Sequence, residues 1–313
     1  MRNPVCEVFK IQYPIVQAGM VWCSGWELAA ASARAGILGV IGSGSMYPDV
    51  LRTHIRRCKQ SGVSHFAVNV PLLYPDIEEQ MKVILEESVP IVITSAGSPG
   101  KYTPMLRAEG CTVAHVVSSA RFAEKAEAAG VDAIICEGFE AGGHNGREET
   151  TTICLVPEVR QATSKPLLAA GGIGSGRAML AAMALGADGV QIGSRFVASA
   201  ESSAHAHFKQ AVVQAGEGAT VLTLKELAPV RLMRNGFYRD VQAAYQRGAD
   251  AAELRDLLGR GRAKRGMFEG DMEQGELEIG QVASQFKKVQ PVAEIVTELL
   301  EEYEAARKSL RPL

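Results

Sequence analysis

Eight short apolar runs recur along the chain at intervals of roughly 20 to 30 residues, each followed by a stretch with helical spacing. Runs this apolar are typical of strands that are buried on both faces, as in a parallel sheet covered by helices. About eight strand–helix units in series predict an α/β fold, a closed (β/α)₈ TIM barrel. The runs are residues 14–17, 37–41, 65–70, 90–94, 112–117, 131–136, 166–170 and 189–192.

The position of the glycine-rich loops separates this barrel from its main alternative, an open doubly wound sheet. An open sheet of that kind usually carries its first glycine loop after the first strand. Here the glycine loops follow the sixth, seventh and eighth runs, at residues 138–146, 171–176 and 193. The pattern therefore favours the closed barrel.

The strand–helix pattern breaks after about Glu201. Residues 216–280 are polar with helical spacing, which predicts a small helical insertion over the barrel mouth with bounds 216–284. The chain then returns in an apolar stripe between Val292 and Tyr303, the pattern of a helix that covers the barrel. We therefore assign residues 1–215 and 285–313 to the barrel.

Charge and composition exclude several classes of partner. The 313 residues include 33 Lys and Arg against 35 Asp and Glu, and a net charge of -2 gives no reason to expect nucleic acid or a membrane surface. The first residues lack the apolar core of a signal peptide, so we expect a cytoplasmic protein. Six scattered cysteines without a Cys-x-x-Cys pair indicate free thiols and no metal site.

One loop combines backbone freedom with a group that can transfer protons. Directly after the sixth run come Glu137 and a glycine-dense stretch containing Gly142, Gly143 and His144. Glycine lets the backbone approach a ligand where a Cβ atom would collide. Histidine is the side chain best suited to proton transfer near neutral pH, so His144 is the candidate catalytic residue.

The loops after the seventh and eighth strands of such a barrel commonly bind a phosphate. Here they supply Ala170, Gly171 and Gly172 at one strand end, and Ile192, Gly193 and Ser194 at the other. Backbone N–H groups at glycine turns and helix starts favour an anion. The phosphate can belong to a sugar phosphate or to flavin mononucleotide (FMN).

Polar side chains at the predicted strand ends favour the flavin. Asn69, Ser95, Glu137 and Gln191 all fall where one ring of loops meets, and amide groups there can pair with the polar edge of an isoalloxazine. His115 lies inside a strand pattern from which its side chain can reach the same pocket.

Four windows carry a resemblance to a known family. Residues 15–20, 140–146, 169–173 and 191–196 resemble the flavin barrels of nitronate monooxygenases (2-nitropropane dioxygenases) and enoyl-acyl-carrier-protein reductase II. The resemblance implies an FMN at the barrel mouth, with His144 beside the ring and the turn at Gly280 and Gln281 folded back onto the flavin. It implies FMN contacts from Gly19, Met20, Asn69, Glu137, Gly142, Gly143, Gly171, Gly172, Gln191, Gly193 and Ser194.

Two single-residue features separate the branches of this family. Gly19 before Met20, and Glu137 before Gly138, resemble the reductases, whereas monooxygenases tend to have Pro and Gln there. A reductase would pass hydride from NADPH or NADH through flavin N5 to a trans-2-enoyl thioester of an acyl carrier protein, and the family implies a homodimer. A monooxygenase, the alternative, would oxidise alkyl nitronates with oxygen.

A basic turn in the predicted insertion is a further candidate contact. It contains Arg260, Arg262, Lys264 and Arg265. These side chains could meet an acidic carrier protein or the 2′-phosphate of NADPH, and a solvated loop is the simpler interpretation. Acidic residues 269–273 follow closely and partly neutralise the turn.

Overall fold

The computed structural model describes residues 3–311; Met1, Arg2, Pro312 and Leu313, at the outer ends of the predicted barrel segments, lie outside the described residues. Its main sheet has eight parallel strands: β1 (Ile15–Gln17), β2 (Val40–Gly42), β3 (Ala67–Pro71), β4 (Ile91–Ser95), β5 (Thr112–Val117), β6 (Ala133–Glu137), β8 (Leu167–Ala170) and β9 (Gly189–Ile192). Their order is β1-β9-β8-β6-β5-β4-β3-β2. Leu38, just before β2, bridges Val16 of β1 in parallel and closes the sheet on itself. The predicted (β/α)₈ barrel is confirmed.

Helices surround this sheet, and the first of them along the chain packs Phe9 into the lower end of the barrel interior. They are α1 (Pro4–Phe9), α2 (Trp26–Arg34), α3 (Pro48–Gln60), α4 (Ile77–Glu86), α5 (Thr103–Ala108), α6 (Ala120–Ala128), α7 (Thr152–Ala162), α8 (Gly176–Ala184), α9 (Ser194–Val197), α10 (Ala206–Val213), α11 (Gly236–Gln246), α12 (Ala251–Leu258) and α13 (Val292–Ser309). Short 3₁₀ turns span Ser43–Ser45, Pro99–Lys101 and Gln281–Gln285, and a π turn spans Lys264–Phe268. Among residues 3–311, no helix has the length and apolarity that crossing a membrane requires.

The barrel interior is packed with side chains from alternate strand positions, because successive side chains of a strand point to opposite faces. Val16, Ile93, Ile135 and Leu168 are fully buried in one cluster there, and Phe9 of α1 joins the same cluster. The other strand face packs against the helices in a larger cluster. The barrel is therefore filled in its lower part, and any ligand must bind above the strand ends.

The return helix α13 covers the barrel as its apolar stripe predicts. Val292, Ile295 and Leu299 are buried in the cluster between helices and sheet. Gly176, at the start of α8, allows a close approach, because a Cβ atom there would lie 2.1 Å from the Leu299 carbonyl oxygen.

The insertion needs a correction, because it is not helical throughout. It holds β10 (Thr220–Thr223) and β11 (Val230–Met233), which pair antiparallel, and β11 also pairs with β7 (Gly143–His144) from the barrel loop. Helices α11 and α12 pack on this sheet through Phe237, Val241 and Leu254. The sequence pattern missed the strands because each has four residues or fewer and β7 comes from a loop far away in sequence. The bounds 216–284 stay a prediction.

Candidate active site

A cavity of about 1070 Å³ opens above the carboxyl ends of the strands. That volume is slightly above the range of ordinary ligand pockets, which is about 300–1,000 Å³. Its walls come from the ends of β1, β3, β4, β5, β6, β8 and β9, from β7 and from residues of the insertion. The cavity therefore has room for a cofactor together with a substrate.

The floor near β8 is built from glycines that no other residue can replace easily. Gly171 and Gly172 both have left-handed backbone angles, with φ of 86° and 70°. A Cβ atom at Gly171 would lie 2.5 Å from the carbonyl oxygen of Gly138. Among the described residues, the N–H groups of Gly171 and Gly172 donate no backbone hydrogen bond. These two donors border the cavity and suit an anionic ligand.

His144 reaches the cavity from β7, the short strand that joins the barrel loop to the insertion. It pairs with Val230 of β11, while Gly143 pairs with Arg231. The Asn145 side chain donates hydrogen bonds to the carbonyl oxygens of Ala141 (3.0 Å) and Gly143 (2.9 Å), which fixes the turn around the imidazole. The His144 side chain is exposed to the cavity.

Two polar side chains hold the rest of this loop in place. The Glu140 carboxylate accepts hydrogen bonds from the backbone N–H and the hydroxyl of Thr152, at the start of α7. Arg231 donates two hydrogen bonds to the carbonyl oxygen of Phe139, at 3.1 and 2.8 Å, and its guanidinium lies 5.0 Å from the centre of the Phe139 ring. The loop is thus anchored to both the barrel and the insertion.

Polar groups line the cavity at the strand ends as the sequence predicts. The Asn69 amide donates to the Ile93 carbonyl oxygen at 3.1 Å and approaches the Ser95 hydroxyl at 3.5 Å. Burial raises the pKa of Glu137 to about 7. His115 also lines the cavity; burial lowers its pKa to about 4, and its Nδ1 lies 2.7 Å from the Thr94 hydroxyl.

The structure brings most of the predicted site residues to one cavity. Those that line it are Gly19, Met20, Asn69, Ser95, Glu137, Gly142, Gly143, His144, Ala170, Gly171, Gly172, Gln191, Gly193 and Ser194. Their assignment as flavin contacts stays a prediction.

Three predicted site residues do not line the cavity. Ile192 faces the helices, since it alternates with the inward Gln191. Gly280 donates its N–H to the Ser194 hydroxyl at 2.9 Å, and Gln281 donates its N–H to the Glu140 carbonyl oxygen at 3.0 Å. The Gly280 turn therefore supports the wall of the cavity through these hydrogen bonds without lining the cavity itself.

The sequence analysis missed two acidic residues at the His144 side of the cavity. Glu278 lines the cavity, and Glu276 is 7% exposed beside it. Burial raises the pKa of both carboxyl groups, and for Glu276 the neighbouring Glu278 raises it further. No motif marks these residues, because their segment meets His144 only through the fold of the insertion.

Most of the basic side chains in this turn form contacts within the insertion. Arg262 donates hydrogen bonds of 2.8 Å to the carbonyl oxygens of Leu258, Leu257 and Gln274, and its guanidinium lies 4.4 Å from the centre of the Phe237 ring. Lys264 pairs with Glu269, and Arg265 pairs with Asp271. Arg260 is exposed. The simpler interpretation, a solvated and internally neutralised turn, fits these contacts.

Comparisons with known proteins place this chain in one family of oxidoreductases. A family model described as nitronate monooxygenase matches residues 2–83 and 76–302. The structure is similar to FabK from Thermotoga maritima, with a TM-score of 0.94 and 40% identity over 99% of both chains. It is also similar to a nitroalkane oxidase from Streptomyces ansochromogenes, with a TM-score of 0.84 and 28% identity over 98% of this chain and 100% of that one.

Two curated relatives carry different activities in their names. A (3aS,4S,5R,7aS)-5-hydroxy-7a-methyl-1-oxo-octahydro-1H-indene-4-carboxyl-CoA dehydrogenase from Mycobacterium tuberculosis is 33% identical over 260 residues, which are 82% of this chain and 73% of the relative. A probable nitronate monooxygenase from Staphylococcus aureus is 31% identical over 266 residues, 71% of this chain and 75% of the relative.

Proposed function

This chain belongs to the nitronate monooxygenase family of oxidoreductases, and within that family we propose that it is an FMN-dependent enoyl-acyl-carrier-protein reductase of type II. Its substrates are a trans-2-enoyl thioester and NADPH or NADH. The candidate catalytic residue is His144.

The observation that carries this proposal is the likeness to Thermotoga maritima FabK along 99% of both chains, at 40% identity. FabK is the name of the type II enoyl-acyl-carrier-protein reductase. The nitroalkane oxidase aligns over a similar length at 28% identity. The relative from Mycobacterium tuberculosis is named for a CoA thioester. Both the higher identity and that name support a thioester substrate, and the type II reductase is the branch that the Gly19 and Glu137 positions resemble.

The residues of the cavity fit an FMN. Gly171 and Gly172 offer two backbone N–H donors, and a Cβ atom at Gly171 would collide with the Gly138 carbonyl oxygen, so the floor is kept bare for a ligand. Gly193 and Ser194 border the same region. These four residues would hold the phosphate, while Asn69 and Gln191, at other strand ends, would hold the polar edge of the ring.

When bound, FMN would supply the hydride transfer between NADPH or NADH and the β-carbon of the thioester. His144 gives a proton to the α-carbon, so that one hydride and one proton reduce the double bond. The anchors of the His144 loop, Glu140 and Arg231, hold the imidazole in place over the cavity.

The charges of the residues that line the cavity favour a substrate whose reacting group is uncharged. The lining residues that can carry a charge are one lysine, Lys125, and three glutamates, Glu137, Glu140 and Glu278. Burial raises the pKa of Glu137 and Glu278 towards neutrality, so Lys125 is the one lysine or arginine of this lining that could attract an anion. A nitronate reaches the enzyme as an anion and gains little from such a wall, whereas an enoyl thioester is neutral at its reacting carbons. This balance favours the reductase over the alternative.

Nitronate oxidation remains the second candidate function because of two similarities. The family model is described as nitronate monooxygenase, and the Staphylococcus aureus relative is a probable one. In that reaction His144 would position the nitronate or remove its α-proton.

An anaerobic experiment tests the proposal. We expect NADPH or NADH to bleach the flavin of the FMN-loaded protein, and crotonyl-CoA to restore its absorbance. His144→Ala should slow this reoxidation by about a hundredfold or more, the contribution of a positioned acid. His207→Ala, an exposed histidine on α10, is the matched control. Bleaching by an alkyl nitronate and by neither nucleotide would replace the proposal with the monooxygenase.

A further inference from the structure

The segment that follows the basic turn brings two carboxyl groups to the edge of β11 where His144 lies. Gly143 and His144 pair with Arg231 and Val230, and Glu278 bridges the next residue of the same strand, Leu232. Glu278 therefore follows Gly143 along one edge of β11. A Cβ atom at Gly143 would lie 2.5 Å from a carboxylate oxygen of Glu278, which shows how closely this group packs on the His144 loop.

Glu276 lies two residues before Glu278, close enough for the charge of Glu278 to raise its pKa. The Met233 N–H fixes the segment between them by donating to the Leu277 carbonyl oxygen at 2.8 Å. Within residues 3–311, no side-chain hydrogen bond or ion pair reaches either carboxyl group, although Glu276 is only 7% exposed.

A buried carboxylate without a partner is costly, and the usual outcome is that the group holds its proton. Burial raises the pKa of both groups, and the mutual repulsion of two carboxylates opposes the loss of the second proton. The charge of His144 acts in the opposite direction and lowers the pKa of Glu276. The imidazole and the carboxyl pair are thus electrostatically linked.

Other titratable groups around the pair form no ion pair with it among the described residues. The charge of Arg262 lowers the pKa of Glu276 less than burial raises it, and the 2.8 Å hydrogen bonds of Arg262 go to backbone carbonyl groups. Tyr74, from the segment after β3, and Cys23, from the loop after β1, have pKa values raised first by burial and then by the charge of Glu278. Both stay protonated and uncharged near neutral pH. His144 is therefore the group in this corner that can exchange a proton with the pair during turnover.

We propose that Glu276 and Glu278 form a proton-holding pair that reprotonates the His144 imidazole after each reduction of the substrate. His144 gives its proton to the α-carbon of the thioester, the carboxyl pair returns a proton to the imidazole, and the carboxylate recovers its proton from solvent. One proton enters from solvent and one leaves with the product in each cycle. Both glutamates act on the thioester through His144 and not directly. The inference rests on the proposed reductase function.

The test compares Glu278→Gln and Glu276→Gln with Glu273→Gln in the FMN-loaded enzyme. Glu273 lies on the same segment but is exposed and paired with Arg239. We expect reoxidation by crotonyl-CoA to slow about tenfold in the first two variants, a fraction of the roughly hundredfold that a direct acid supplies. Flavin reduction by NADPH, which needs no proton from His144, should keep the parent rate.

The pH profile separates proton supply from a packing defect. In the parent, reoxidation should fall on the alkaline side of neutrality as the pair loses its proton. In Glu278→Gln this limb should shift to lower pH, because Glu276 no longer has its pKa raised by the charge of Glu278. Glu278→Asp should restore part of the rate together with the position of the limb. A profile of Glu278→Gln with the same shape and position as that of the parent would overturn the inference while the reductase function stands.

A second readout does not depend on turnover. Infrared difference spectra between about pH 6 and pH 9 should show a carboxylic acid C=O band that is reduced in the Glu276→Gln/Glu278→Gln double variant, with the contribution of Glu137 left in place. Persistence of the whole band in the double variant would refute the proton-holding pair. Failure of the parent to reduce crotonyl-CoA, with the band present, would instead reject the reductase.

Discussion

The contact between the His144 loop and the insertion gives the sharpest prediction, the effect of Gly142→Ala. A Cβ atom at Gly142 would lie 2.5 Å from the carbonyl carbon of Ile279, 2.6 Å from the nitrogen of Gly280 and 2.7 Å from the Ile279 α-carbon. Ordinary contacts of a Cβ atom begin at 3.4 Å. The two backbones must therefore separate by about 0.9 Å, the difference between 3.4 and 2.5 Å.

We expect the loop to move at Gly142, beyond its anchors at Phe139 and Glu140, because Ile279 on the other side is packed in a core. Ile279 is 1% exposed and belongs to the cluster that joins the insertion to the barrel. His144 follows Gly142 by two residues, so the shift carries the imidazole away from its position over the cavity. Overpacking of this kind costs about 1–3 kcal/mol. A displacement of about 1 Å can lower the rate of a positioned group by about a hundredfold.

We expect Gly142→Ala to lower the kcat/KM for crotonyl-CoA by about ten- to a hundredfold and to lower the melting temperature by a few degrees. Gly216→Ala is the matched control, because no described atom lies within 4 Å of a Cβ atom placed there and its φ is not left-handed. Steady-state kinetics and thermal unfolding of both variants measure the effect. Parent-like kinetics and stability for Gly142→Ala would refute the reasoning that this contact positions His144.

Three further predictions follow from single contacts. Gly171→Ala adds a Cβ atom 2.5 Å from the Gly138 carbonyl oxygen at a φ of 86° and should weaken FMN binding in a fluorescence titration, whereas Gly110→Ala, with a φ of 81° and no described atom within 4 Å, should retain it. Arg262→Ala removes three hydrogen bonds and the stack on Phe237 and should cost about 2–3 kcal/mol, measured by urea unfolding, with the exposed Arg260→Ala unchanged. Burial raises the pKa of Glu137 from 4.5 to about 7. Because the folded state holds this proton more tightly than the unfolded state does, the free energy of unfolding falls as the pH rises from about 4.5 through about 7. Glu137→Gln should therefore raise the free energy of unfolding by about 1–3 kcal/mol at pH 8 and leave it nearly unchanged at about pH 4; an equal effect at both pH values would contradict this.

The barrel and the centre of the site could be predicted from sequence alone for a local reason. Each strand of a parallel sheet carries its own signal, a short apolar run, and parallel strands place their carboxyl ends at one edge. The loops of Gly171, Gly193 and His144 therefore had to meet once the eight runs were recognised. The family resemblance, and with it the oxidoreductase class, rested on those same loops.

The tertiary structure alone decided what depends on pairing between distant segments. The pattern of residues 216–280 predicts helices, yet residues 220–223 and 230–233 form strands because Gly143 and His144 supply an edge on which β11 can pair. Glu276 and Glu278 carry no motif, and their pKa values rise because folding takes both carboxyl groups out of water, Glu276 as a buried and Glu278 as a half-buried residue, and because the charge of Glu278 acts on Glu276. The sequence of one segment shows the period of its apolar residues and therefore which of its faces is apolar. Whether a charged side chain becomes buried depends on which other segments of the chain pack against it.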